Sequence, residues 1–341
     1  MLRDRTPSIR VAAPCRADLA GGTLDIWPLG LLHPGAVTVN MAIRVEVELE
    51  VDLAGEDGVV RLTTSAGEVQ SLRSDDADLD LTAGVAFAIA PNGGVRVRVI
   101  SQAPLRSGIG GSSTYGIALG RALGEAVGEA LPDERLVALI RDLEARVVRA
   151  PTGSQDHWAA VRGGLLALHI GAGGDRVEEL KIDPQWMDER VTVFFTGIRH
   201  HSGMVNWKVI RRRLDGDRGT EEAFSQIADA AAECRKGLID VDEVAVASAI
   251  RCEWKARRRL GTDVSTPELD HLVDVARHAG ATAVKACGAG SGGSILIWHP
   301  PGTRASIVGA IEKSSPDGHV LATGPASQGC RIISDNSAAG R

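Results

Sequence analysis

The feature that most constrains this chain is a change of period just after residue 100. Residues 95–100 (VRVRVI) alternate apolar and charged side chains with the two-residue repeat of a half-wet strand. Beyond Ser112, glycine recurs every fourth residue, at Gly116, Gly120, Gly124 and Gly128. A helix loses about 1 kcal/mol at each such glycine relative to alanine. The sequence therefore predicts a buried helix over residues 112–131, pressed closely against another element. Between strand and helix lies PLRSGIGGSST, residues 104–114. Glycine there lets backbone approach a ligand, and the uncommitted amides and positive dipole end of the helix favour an anion such as a triphosphate. The loop has neither the Lys-Ser/Thr ending of a Walker A motif nor the spacing of a dinucleotide fingerprint. Alone, it reads equally as a phosphate cradle or an ordinary glycine-serine turn.

Residues 44–53 (RVEVELEVDL) predict a second half-covered strand. Pro132, Asp133 and Glu134 start a helix whose apolar stripe is Leu136, Leu139, Ile140, Leu143 and Val147, and the loop APTGSQDHW follows. Further on, strand-like runs at 191–196, 283–287 and 294–298 alternate with helical stretches near 221–238, 241–260 and 267–278. The class is α+β. A chain of 341 residues, 44% hydrophobic, buries a large core and divides into two domains at roughly 100 to 200 residues each. The expected boundary is the segment 171–184 (GAGGDRVEELKIDP), separating residues 1–180 from 181–335, with a flexible tail at 336–341. The basic runs 208–213 and 255–259 read as solvated helix faces, with a clamp for a substrate phosphate as the second reading.

Lys and Arg total 38 against 44 Asp and Glu, a net charge of −6. That balance argues against nonspecific nucleic-acid or anionic-membrane binding and favours small-molecule partners. Five scattered cysteines without a CxxC pair argue against both a disulfide framework and a zinc site. The first residues lack a signal-peptide core, and no run approaches the ~18 apolar residues of a membrane span. The expectation is a cytoplasmic protein.

Two more glycine-rich segments accompany the first: RADLAGGTLD at residues 16–25 and KACGAGSGGS at 285–294. In this order and at these separations, the three resemble the motifs of the GHMP kinases, named for galactokinase, homoserine kinase, mevalonate kinase and phosphomevalonate kinase. The resemblance runs from Val11 to about Leu296. TGSQDHWAAVRGG (152–164) and FTGIRHHS (195–202) are similar to the fucokinase and heptose 7-phosphate kinase branch. The resemblance implies a two-domain α+β fold, with an N-terminal domain like domain 2 of ribosomal protein S5 and a ferredoxin-like C-terminal domain, ATP and acceptor meeting between them.

It also implies roles. Asp156 would orient or deprotonate the acceptor hydroxyl, and Arg16 would lower its pKa or stabilise developing charge. Pro104, Gly108, Ile109, Gly110, Gly111, Ser112 and Ser113, with Gly288 and Gly290, would hold ATP. Gly21, Gly22, Thr23, Asp25, Gly153, Gln155 and Lys285 would face a sugar or sugar phosphate. Glu144 with Ser112 would bind Mg2+, Ser113 being the alternative because Gly111 stands where the family writes serine. The competing readings of the residues alone are a helix cap for Asp156, a salt bridge to Arg141, Arg146 or Arg149 for Glu144, and a surface position for Arg16. At the level of function the alternatives are a kinase for a non-sugar alcohol, such as an isoprenoid precursor, and a non-catalytic sugar or nucleotide sensor.

Overall fold

The computed structural model describes residues 8–74, 80–198, 202–288, 290 and 292–335. The expected tail at 336–341 lies outside the described residues, as do Arg199, His200 and His201 of FTGIRHHS and Ala289 and Ser291 of the third glycine loop.

The first part of the chain builds an eight-stranded sheet covered by helices. Its elements are β1 (Ile9–Ala20), β2 (Val37–Asp52), β3 (Val59–Thr63), β4 (Val69–Arg73), α1 (Leu81–Ile89), β5 (Val95–Ser101), α2 (Gly111–Val127), α3 (Asp133–Val148), α4 (Gln155–Arg162), β6 (Leu165–Gly171) and β7 (Gly174–Glu179). The strand order is β12-β1-β2-β5-β3-β4, with β6 and β7 added beside the first half of β2. β12 (Arg331–Asp335) comes from the far end of the chain. Strand β5 alternates buried and exposed as its sequence predicts, whereas β1 is buried almost throughout because β2 and β12 flank it and helices cover it.

The second sheet follows α5 (Pro184–Asp188) and contains β8 (Val191–Phe195), β9 (Ala283–Ala286), β10 (Ser294–Trp298) and β11 (His319–Ala322), ordered β11-β8-β10-β9. Helices α6 (Ser202–Leu214), α7 (Arg218–Ile239), α8 (Glu243–Arg258) and α9 (Pro267–His278) lie between β8 and β9, and α10 (Arg304–Ser314) between β10 and β11. The sequence of elements is thus β, helices, β, β, helix, β, in the antiparallel order of a ferredoxin-like sheet. One apolar cluster runs from Val39 and Ile43 in the first sheet through Ala231 and Ile250 in α7 and α8 to Val193 and Leu296 in the second.

Within the segment read as the boundary, β7 pairs antiparallel with β6 and extends the first sheet. The chain then leaves that sheet, and β12 returns to pair with β1.

The first two glycines of the row pack as their spacing requires, whereas the helix stops at Val127, short of the expected Leu131. Gly128 caps its end in the left-handed conformation, and a Cβ added to Gly116 would stand 2.4 Å from Ile140 Cγ2, one on Gly120 2.6 Å from Leu136 Cδ1. The close partner is α3. Gly116→Val is therefore expected to destabilise the fold by roughly 1 to 3 kcal/mol of overpacking, read from urea denaturation. Shortening the opposing side chain in Gly116→Val/Ile140→Ala should recover part of the loss.

Candidate active site

After β5 the chain crosses to the N-terminus of α2 through Gly108 and Gly110, whose φ angles of +73° and +77° lie in the left-handed region where glycine is at ease. Gly110 is the N-cap and no side chain caps the helix, so the first-turn amides and the positive end of α2 face the same space. A Cβ on Gly110 would come within 2.9 Å of Asp156 Oδ2, so the loop and that carboxylate are in near contact.

Arg16 fixes this contact. From β1 its Nε donates to Asp156 Oδ1 at 2.7 Å and its Nη1 to the Gly108 carbonyl at 2.6 Å. It is a buried residue, not a surface one. Burial opposes its charge, but the carboxylates of Asp156 and Asp18 outweigh that and raise its pKa above the ordinary arginine value. Asp156 is not a cap: α4 starts at Gln155, and the Gln155 amide is capped by Asp25 Oδ2 at 3.0 Å. Gly153 permits that approach, since a Cβ there would lie 1.9 Å from Asp25 Oδ2. Burial, opposed by the Gln155 amide and reinforced by Asp156 and Asp175, raises the Asp25 carboxyl to about 6.

Glu144, on α3, is buried against the start of α2. Ser113 Oγ donates to its Oε2 at 2.7 Å, and His157 Nε2 stands 3.2 Å from the same oxygen. Burial works to raise its pKa, but His157, Ser113 and Ser112 outweigh it and hold Glu144 below the ordinary value. In place of the arginine bridge of the competing reading, Glu144 makes these contacts, with Arg141 turned to Asp142 at 2.9 Å. Ser113 is buried with its hydroxyl committed to Glu144, whereas Ser112 is exposed to the cavity.

These groups share one cavity of about 660 Å³. Arg16, Thr23, Asp25, Pro104, Gly108, Gly110, Gly111, Ser112, Ser113, Glu144, Gly153, Gln155, Asp156 and Gly288 all line it, next to an apolar wall that includes Leu62, Leu81, Val99 and Tyr115. Five of the expected site residues do not. Ile109 points into the core while its carbonyl accepts from the Arg16 amide, and Gly21, Gly22, Lys285 and Gly290 pack behind the surface. Among the described residues the second sheet's part of the chain contributes Gly288 to the lining, so the cavity belongs chiefly to the first sheet and its helices.

Comparison with known families matches residues 80–164 to "GHMP kinases N terminal domain" and residues 236–316 to "GHMP kinases C terminal". The chain belongs to the GHMP kinases. Across 90% of its length it is 26% identical to a D-glycero-alpha-D-manno-heptose 7-phosphate kinase of Campylobacter jejuni, 94% of which is covered, and across 64% it is 28% identical to a mevalonate kinase of Pyrococcus horikoshii, 63% of which is covered. The fold is similar to a D-glycero-D-manno-heptose 1-phosphate kinase from Bacteroides thetaiotaomicron (TM-score 0.75, 22% identity, 96% of this chain and 100% of that one). It is also similar to Lactococcus lactis galactokinase complexed with galactose (TM-score 0.77, 14% identity, 96% and 95%). No helix among the described residues is long and apolar enough to cross a membrane.

This GHMP kinase carries beneath its cavity a charge network that the sequence reading placed elsewhere. Lys285 Nζ bonds Asp18 Oδ2 at 2.6 Å and lies 3.3 Å from Glu253 Oε2, and Glu253 Oε1 accepts from Arg257 Nε at 2.8 Å. All four are sealed from solvent, so Lys285 is not a substrate contact and Arg257 does not belong to a solvated helix face. The available signal was the i, i+4 pair Glu253 and Arg257 on the stripe of Val246, Ala249 and Ile250. His157 had no sequence signal beyond its neighbour Asp156.

The raised carboxyl of Asp25 predicts a pH effect. Because the folded state holds that proton more tightly, the stability it contributes is present below the ordinary aspartate range and lost as pH rises through about 6. Asp25→Asn should melt like the parent near pH 3, below the unfolded aspartate value of about 3.9. It should melt progressively higher than the parent as pH passes 6, by differential scanning fluorimetry.

Proposed function

We propose that this chain transfers a phosphoryl group from ATP to a hydroxyl of a sugar or sugar phosphate. The observation that carries the reading is the clamp in which one buried arginine holds the Asp156 carboxylate against the glycine loop at the head of α2. Phosphoryl transfer is dominated by positioning and charge stabilisation. The heptose 7-phosphate kinase relative across nine-tenths of the chain supports a sugar-phosphate class of acceptor.

In this reading the amides after Gly110 and the dipole of α2 receive the phosphates, while the apolar wall of Leu62, Leu81 and Val99 receives the base. Glu144 and Ser112 suit a magnesium ion, since both face the cavity and Glu144 stays ionised despite burial. Among the described residues no group of three or more metal-binding side chains gathers anywhere. That is the economy expected for an ion bound mainly through water and phosphate oxygens. When bound, magnesium neutralises charge on the phosphates and the group in transfer.

Asp156 accepts the hydrogen bond, and ultimately the proton, of the attacking hydroxyl. Arg16 fixes its orientation and keeps positive charge beside the loop. The acceptor end, with Thr23, Asp25 and Gln155 on its wall, offers several hydrogen-bonding groups in close succession. Such a surface suits a polyhydroxyl ligand better than a largely apolar alcohol. We take residues 1–180 and 181–335 as working domains, with β12 reaching back to the first.

The test is ADP release with D-mannose, D-galactose, L-fucose, D-glycero-D-manno-heptose 7-phosphate and mevalonate as acceptors. Turnover with a sugar is expected; turnover with mevalonate alone would favour the non-sugar reading, and none at all a sensor. With the acceptor that is turned over, Asp156→Asn should lower kcat by about 10² to 10⁴ and leave ATP affinity nearly unchanged. Parental turnover by that variant would remove Asp156 from the chemistry.

A further inference from the structure

His157 follows Asp156 in the first turn of α4, and there the two side chains part. Successive residues of a helix lie about 100° apart around its axis. Asp156 therefore lines the cavity while His157 turns inward and is fully buried, on a helix packed against both α2 and α3.

The inward ring meets a carboxylate. His157 Nε2 stands 3.2 Å from Glu144 Oε2, the oxygen that also accepts from Ser113 Oγ at 2.7 Å. Among the described residues, both nitrogens of His157 are sealed from solvent without a well-aligned hydrogen bond. Burying polar atoms in that state is costly, so the ring calls for a reason beyond packing.

Building on the magnesium reading above, we infer that His157 is a positioning residue for the metal carboxylate, holding Glu144 so that a single oxygen, Oε1, is offered to the cation. Donor and acceptor capacity dictates the arrangement. An ionised carboxylate only accepts, so the His157 nitrogen that faces it carries hydrogen, and Ser113 directs its own hydrogen to the same oxygen. Two donors converging on Oε2 leave Oε1 for a cation in the cavity that Glu144 lines. Magnesium demands near-ideal octahedral geometry, which one oxygen satisfies, whereas calcium tolerates two from one carboxylate. A Glu144 pinned at Oε2 thus favours the smaller ion. Because Asp156 and His157 are neighbours, the same turn of α4 sets the spacing between the metal carboxylate and the carboxylate that receives the acceptor proton.

The test reads nucleotide binding, by calorimetry with the β,γ-imido analogue of ATP in Mg2+, in Ca2+ and in EDTA. The proteins are the parent, His157→Leu, His157→Gln and Glu144→Gln. In the parent, Mg2+ should tighten binding relative to EDTA. His157→Leu should give up about 10-fold of that gain, the low end for residues that orient a metal ligand. It should keep its affinity in EDTA and lose less in Ca2+ than in Mg2+. His157→Gln, whose amide restores a donor, should recover most of the Mg2+ gain. In the Glu144→Gln background, His157→Leu should change nothing further. A histidine that only packs would lower the melting temperature in both variants while leaving the Mg2+ gain parental, and that result overturns this inference alone. If the variants do not fold, the parent decides: 15N spectra of the histidine-labelled protein should show hydrogen on His157 Nε2, and a bare Nε2 overturns the inference. A parent that binds the analogue equally in Mg2+ and EDTA, or a Glu144→Gln variant with the full Mg2+ gain, overturns the magnesium reading and this inference together.

Discussion

Two anions and two cations sealed from water hold the two sheets in register. Asp18 comes from β1, Lys285 from β9, Glu253 and Arg257 from α8. Isolated, any one of these charges would be expensive to bury; paired as they are, each carboxylate has a cation and each cation a carboxylate. Removing a single partner from such a network strands a charge and typically costs about 3 to 5 kcal/mol. The Asp18 carboxyl shows the balance. Burial pushes its pKa up, but Lys285, Arg16 and Arg257 together hold it far below the ordinary aspartate range.

The network also explains how β1 serves two purposes. Arg16 and Asp18 are two residues apart and so share a face of the strand. Register shifts between Pro14 and Cys15 and between Asp18 and Ala20 bracket them. Bulges of this kind re-aim side chains at the edges of sites. In this short stretch, Arg16 reaches up to Asp156 and Gly108 while Asp18 reaches across to Lys285 and the Gly288 amide. The clamp above and the charge network below are thereby built on one piece of strand.

Elements whose signal is local were legible in the sequence. The alternation in 95–100, the glycine row of α2 and the stripe of α3 each predict an element that the structure contains, because burial there follows a fixed period. The three glycine motifs and the residues between them also identified the family to which the chain belongs. What the sequence did not disclose depends on partners distant along the chain. Charged residues of α8 look alike whether they meet water or Lys285, and only the arrival of β9 makes Glu253 and Arg257 internal. Asp156, read locally, is a plausible helix cap. In the structure Asp25, 130 residues upstream of Gln155, caps the Gln155 amide and leaves Asp156 for Arg16. Segment 171–184 carries glycine and charge like a break between domains, yet its middle, Gly174–Glu179, finds a strand partner in β6.

The glycine row and the phosphate-type loop, which look like separate features, are mechanically one. Gly116 and Gly120 let α2 settle against Ile140 and Leu136 of α3, at a separation that a Cβ would forbid. That settling brings the first turn of α2 level with Glu144 near the other end of α3, so that Ser113 can bond it while Ser112 stays open to the cavity. If α2 were held further out, the Ser113 bond to Glu144 would lengthen and the near contact of Gly110 with Asp156 would open. Helix packing thus sets the spacing between the anion-binding amides, the buried carboxylate and the carboxylate clamped by Arg16. In a reaction governed by positioning, that spacing is the part of the chemistry the fold supplies.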